Sequence, residues 1–113
     1  MKDFNELKSK MFARARLKPV DKRFRTRSKG VDPPAIIRFE VDDKIHTFDF
    51  TQADPSDSDA EPNLTVRCTW ETLKEVWTGQ LAGLEAIRLG AVEVEGSLRL
   101  GHALQNYFQV EKP

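Results

Sequence analysis

With 113 residues and equal numbers of Lys/Arg and Asp/Glu, the chain is the size of one domain. A formal net charge of zero gives no whole-molecule attraction to nucleic acid or anionic lipid, and nucleic acid is not an expected partner. One cysteine, Cys68, excludes an internal disulfide and fits a reducing compartment, so a cytoplasmic setting is expected. No apolar run approaches the ~20 residues of a membrane-spanning helix, and the first ten residues lack the apolar stretch of a secretory signal. The neutral total hides an asymmetry. Eleven Lys/Arg stand against three Asp/Glu up to Gly30, and the remainder carries the compensating acidic excess. Basic start and acidic body can therefore attract each other, within one chain or between copies.

Phe4, Leu7, Met11, Phe12 and Ala15 recur at spacings of three and four, which predicts a helix over Phe4–Leu17 that ends before Pro19. Val20 to Pro34 is basic, rich in turn formers and without a period, and reads as an arm. After Pro33 and Pro34 the period falls to two. Ile37, Phe39 and Val41 share one face, Arg38 and Glu40 the other. Asp42-Asp43-Lys44 reads as a hairpin turn, and Ile45 to Phe50 as its returning strand, with His46, Phe48 and Phe50 on one face. Asp54 to Pro62 reads as an acidic loop without apolar anchors. Leu64-Thr65-Val66-Arg67-Cys68 alternates again.

Thr69 is a suitable N-cap for a helix from Trp70 to about Thr78 that buries Leu73, Val76 and Trp77 and stops at Gly79. A short helix from about Gly83 to Leu89 follows, ending at Gly90. Val92 and Val94 alternate with Glu93 and Glu95 in a strand closed by Gly96. Ser97 then caps a last helix carrying Leu100, Ala103, Leu104, Tyr107 and Phe108. Four strands are legible, and the layout is α+β: a largely antiparallel sheet with helices on one face. The whole of 1–113 is expected to form one domain, with 1–30 its basic helix and arm and 35–108 its sheet and helices.

Sites of chemistry are few. His46 and His102 belong to no metal-ligand spacing, and counting a calcium loop from Asp57 puts Pro62 and Cys68 where Gly and Glu are required. Cys68 shares the phase of Leu64 and Val66, which favours a buried thiol over a nucleophile. No phosphate loop is present, no pair of acid and base residues stands at a productive spacing, and no cofactor or enzymatic activity is expected. The run Lys22-Arg23-Phe24-Arg25-Thr26-Arg27 reads first as a solvated arm or one lying on the acidic body. Transient contact of Lys22, Arg23, Arg25 and Arg27 with an anionic membrane is the alternative.

From Leu64 to Phe108 the order of short motifs resembles the second half of a sterol carrier protein type 2 domain. The strand Leu64–Cys68 leads into Trp70-Glu71-Thr72-Leu73, and Trp77-Thr78-Gly79-Gln80-Leu81 is similar to that family's threonine-glycine-x-leucine turn. Leu84-Glu85-Ala86, the element from Gly90 to Gly96, and Leu98, Leu100, Leu104, Gln105 and Asn106 follow in order. Family members usually carry five strands. The extra one would fall between Phe50 and Leu64, where this sequence departs from the pattern with its acidic loop, so four or five strands are expected. The resemblance also implies a mixed sheet enclosing a hydrophobic tunnel for a sterol, fatty acid or acyl chain. The walls would be Phe39, Phe48, Trp77, Ile87, Leu100, Leu104 and Phe108. The expected function is non-enzymatic binding or transfer of a hydrophobic molecule, and the alternative is an interaction or dimerisation module without a ligand. The sequence fixes no oligomeric state.

Overall fold

The computed structural model describes residues 2–17, 35–51, 54–97, 100, 101 and 104. The arm from Val20 to Pro34, with Lys22, Arg23, Arg25 and Arg27, lies outside these residues, as does Phe108. Helix α1 spans Phe4–Leu17. Asp3 caps its start. Asp3 Oδ1 accepts from the Glu6 amide at 3.0 Å, and the Glu6 carboxylate accepts from the Lys2 amide at 2.6 Å, which holds Glu6 below the usual carboxylate pKa. Leu7, Met11, Phe12 and Ala15 form the buried face.

Strands β1 (Ile36–Val41) and β2 (Lys44–Asp49) pair antiparallel, with Val41 opposite Lys44. The turn is thus two residues, Asp42 and Asp43, both at positive φ, the tight hairpin geometry that matches strand twist. Lys44 already belongs to β2, one residue earlier than its side-chain type suggests. The fifth strand is present: β3, Ser56–Asp57, pairs antiparallel with β2. The acidic loop also has an apolar anchor, because Pro55 is buried. Proline marks a turn in sequence, and nothing in the pattern distinguishes a buried one from an exposed one. β4 (Leu64–Cys68) pairs parallel with β1 and antiparallel with β5 (Glu93–Gly96). The sheet order is β3-β2-β1-β4-β5.

Register decides which side chains meet. Ile37 stands beside Phe48 and Leu64, Phe39 beside His46 and Val66, and Val66 beside Val94. Since side chains alternate along a strand, these residues line one face. α1 packs on it. The other face carries Arg38, Glu40, Thr47, Arg67, Glu93 and Glu95, with Ile36 and Thr65 its buried exceptions. There Arg67 bridges Glu40 at 3.3 Å and Glu95 at 2.9 Å.

Helix α2, Trp70–Thr78, begins at Thr69, whose hydroxyl accepts from the Thr72 amide, and stops at Gly79 in the left-handed region. It buries Leu73 and Trp77, whereas Val76 is only half-buried. Helix α3, Gly83–Arg88, ends at Gly90, also at positive φ. Ser97 Oγ accepts from the Leu100 amide at 3.2 Å, and Leu100, Gly101 and Leu104 are helical.

Candidate functional site

The apolar side of the sheet and the helices above it form one buried cluster. β1 supplies Phe39 and β2 supplies Phe48, with ring centroids 6.0 Å apart. Phe12 of α1 meets Phe48 edge-on at 5.2 Å and Phe50 edge-on at 5.8 Å. Phe4 continues the row, lying 6.0 Å from Phe48 and stacked on His46 at 4.0 Å. Edge-to-face and offset contacts of this kind suit the ring quadrupole and fix the rings' orientation.

Of the seven residues expected to line an interior, Phe39, Phe48, Trp77, Leu100 and Leu104 lie together in this cluster. Ile87 does not. It is 40% exposed, while its neighbour Ala86 is fully buried. On so short a helix one inward position suffices to dock it, and the smaller residue takes that position. Phe108 lies outside the described residues. Leu7, Met11, Phe12 and Phe50 join the same cluster, all buried. The three- and four-residue spacing of α1 and the alternation of β2 carry their signal in the sequence.

Charges sit at the rim. Lys8 lies over the rings of Phe12 and Phe48, 5.5 and 5.3 Å from their centroids, and pairs with Asp57 at 2.8 Å. Arg16 pairs with Asp54 at 2.8 Å. The basic helix is therefore tied to the acidic loop within one chain. Arg14 covers the Trp77 ring at 4.2 Å, a cation–π contact joining α1 to α2. Burial pushes the His46 pKa down, helped by Lys44 and Lys8, with Asp57 opposing. Cys68, half-buried, has its thiol pushed up to about 11 by burial and by Asp42. It is a protonated, weakly nucleophilic group at neutral pH. Among the described residues no three His, Cys, Asp or Glu side chains cluster to hold a metal ion, and no helix is long and apolar enough to cross a membrane. What the arrangement shows is a buried apolar cluster whose ring faces meet the cations of Lys8 and Arg14.

Residues 4–109 match the family model described as SCP-2 sterol transfer family. No curated protein matches the chain by sequence. Among solved structures, Sterol Carrier Protein-2 from Aedes aegypti, in complex with the C16 fatty acid palmitate, superposes with a TM-score of 0.56 at 20% identity, covering 88% of this chain and 91% of that one. Sterol Carrier Protein 2 Like 2 from the same organism gives 0.54 at 14% identity, covering 92% and 98%. The inverting sec-alkylsulfatase Pisa1 from Pseudomonas sp. gives 0.59 at 14% identity over 70% of this chain. The chain spans 13% of that enzyme's length. These likenesses show a shared fold.

Proposed function

The chain belongs to the SCP-2 sterol transfer family, and from that premise we propose that it binds and carries a hydrophobic guest without chemistry of its own. The guest is a sterol, fatty acid or acyl chain, held in an apolar tunnel between the sheet and the helices. The single observation that carries this reading is the composition of the buried cluster. Phe39, Phe48, Phe50, Leu7, Met11, Ile37, Leu64 and Leu100 are all at or below 2% exposure. Among the described residues, Lys8 and Arg14 bring their charged ends to the cluster's ring faces. Burial of each methylene is worth about 0.8 kcal/mol, so a long acyl chain gains affinity without a charged contact. The palmitate bound to the Aedes aegypti relative supports the choice of guest. A cytoplasmic setting is part of the proposal, with the lone thiol Cys68 suited to a reducing compartment.

The test is a titration with a fluorescent fatty acid, comparing the native protein with Leu104→Trp. Leu104 is 7% exposed and helical. If it faces a guest space, the indole fills that space. Binding then weakens at least tenfold and the melting temperature stays level or rises. If it faces packed side chains, the larger ring overpacks them and costs about 1–3 kcal/mol. A sharp fall in melting temperature with unchanged binding would count against the tunnel.

A further inference from the structure

Apolar burial draws in an acid, an alcohol and a sterol alike, and a charge placed beside the apolar surface tells them apart. Lys8 is such a charge. It stands on α1 one turn from Phe4 and one turn from Phe12, so the three run along one side of the helix. Its ammonium lies 5.5 Å from the centroid of the Phe12 ring and 5.3 Å from that of Phe48, within reach of a cation–π attraction to both. The Lys8 side chain is 29% exposed. The charge therefore sits where the aromatic cluster meets solvent.

The group that holds Lys8 in this structure is replaceable. Asp57 Oδ1 accepts from the Lys8 ammonium at 2.8 Å, yet the Asp57 side chain is 73% exposed. It belongs to the two-residue strand β3 at the edge of the sheet. An ion pair this exposed adds little to stability, so a second carboxylate can take the place of Asp57 at small cost. The surrounding charge also favours an anion. His46, whose ring lies 6.4 Å from that of Phe48, has its pKa lowered first by burial, then by Lys44 and Lys8, with Asp57 opposing. Among the charges that act on this imidazole, two cations stand against one carboxylate. An ammonium fixed on ring faces, with its counter-charge out in water, matches a molecule that joins a carboxylate to a long apolar chain.

We infer that the guest of this protein is an anionic amphiphile, a fatty acid rather than a neutral sterol or alcohol, and that Lys8 holds its carboxylate in exchange for Asp57. The inference rests on the carrier reading and adds a head group to it, and the two fail separately in the following experiment. Equilibrium dialysis of the delipidated protein at pH 8 measures binding of radiolabelled palmitate, hexadecanol and cholesterol. The native chain is compared with Lys8→Met, Lys8→Arg and Asp57→Asn, and a thermal melt reads the fold of each. The native protein should bind palmitate about tenfold more tightly than hexadecanol, the worth of one charge-assisted hydrogen bond, and more tightly than cholesterol. Lys8→Met should lose that factor for palmitate and leave hexadecanol unchanged, while Lys8→Arg keeps the preference. Asp57→Asn removes the competing carboxylate from an exposed position and should tighten palmitate binding, a test that holds even if Lys8→Met melts early. Equal native affinity for palmitate and hexadecanol, or a preference for cholesterol, would overturn the inference and leave the carrier reading standing. A Lys8→Met variant that weakens palmitate and hexadecanol alike would do the same, by assigning Lys8 to packing. So would an Asp57→Asn variant whose palmitate binding is unchanged or weaker. Native protein that binds none of the three would remove the carrier reading, and the inference with it.

Discussion

His46 and Phe4 lie nearly parallel, 4.0 Å between ring centroids, and this pair ties the start of α1 to β2. Burial under the phenyl ring disfavours the imidazolium, as do Lys44 on the same strand and Lys8 on α1, with Asp57 of β3 partly offsetting them. The folded state therefore holds the His46 proton less tightly than the unfolded chain. Linkage then sets the sign: the contribution is fully present above the ordinary histidine value of 6.5 and is lost as pH falls through the lowered folded value. Replacing His46 with Phe keeps the stack and removes the titration. Urea midpoints measured between pH 8 and pH 5 should fall further in the native protein than in His46→Phe, the difference opening below pH 6.5. Parallel curves would contradict this. The stack itself was half legible from sequence, since the alternation of β2 put His46 on the face of Phe48. Its partner Phe4 comes from another element, and no periodicity connects them.

At the scale of elements, α1, the hairpin, α2 and its two caps followed from spacing and end signals, because in each a buried face repeats with a period. β3 did not, since a two-residue strand of exposed Ser56 and Asp57 has no period and is held by backbone pairing to β2. The neighbouring anchor, Pro55, was visible only as a turn former. A sharper local requirement lies where β5 meets β4. Gly96 has φ +115°, and a Cβ there would overlap the carbonyl oxygen of Asn63. That oxygen accepts from the Ser97 amide at 2.8 Å, while the Asn63 amide donates to Ile36 O at 2.7 Å and its side chain accepts from the Ile36 amide at 3.0 Å. Asn63 thus joins β1, β4 and the cap of the last helix, so its carbonyl has little room to move. Gly96→Ala should lower stability by about 2–4 kcal/mol, strain and displaced hydrogen bonds combined, as read from chemical denaturation. A loss under about 0.5 kcal/mol would mean that the junction yields easily.

For the molecule as a whole, the mixed sheet and its helical cover were expected from the order of elements together with the family resemblance. The grouping of Phe39, Phe48, Trp77, Leu100 and Leu104 followed from that layout. Ile87 turned outward because α3 docks through Ala86, a choice between adjacent apolar residues that a six-residue helix is too short to express as a pattern. The energetics of a carrier differ from those of an ordinary core. An empty apolar tunnel of roughly 300 Å3 would cost on the order of 7 kcal/mol at about 24 cal/mol per Å3, comparable with the whole stability of a small domain. A protein built this way should therefore be isolated with its guest in place. The most direct measurement is organic extraction of the purified protein followed by quantitative mass spectrometry of the extract. The account predicts about one lipid per chain, displaced stoichiometrically by added fatty acid. Protein that yields no lipid, and takes up no fatty acid after delipidation, would contradict it.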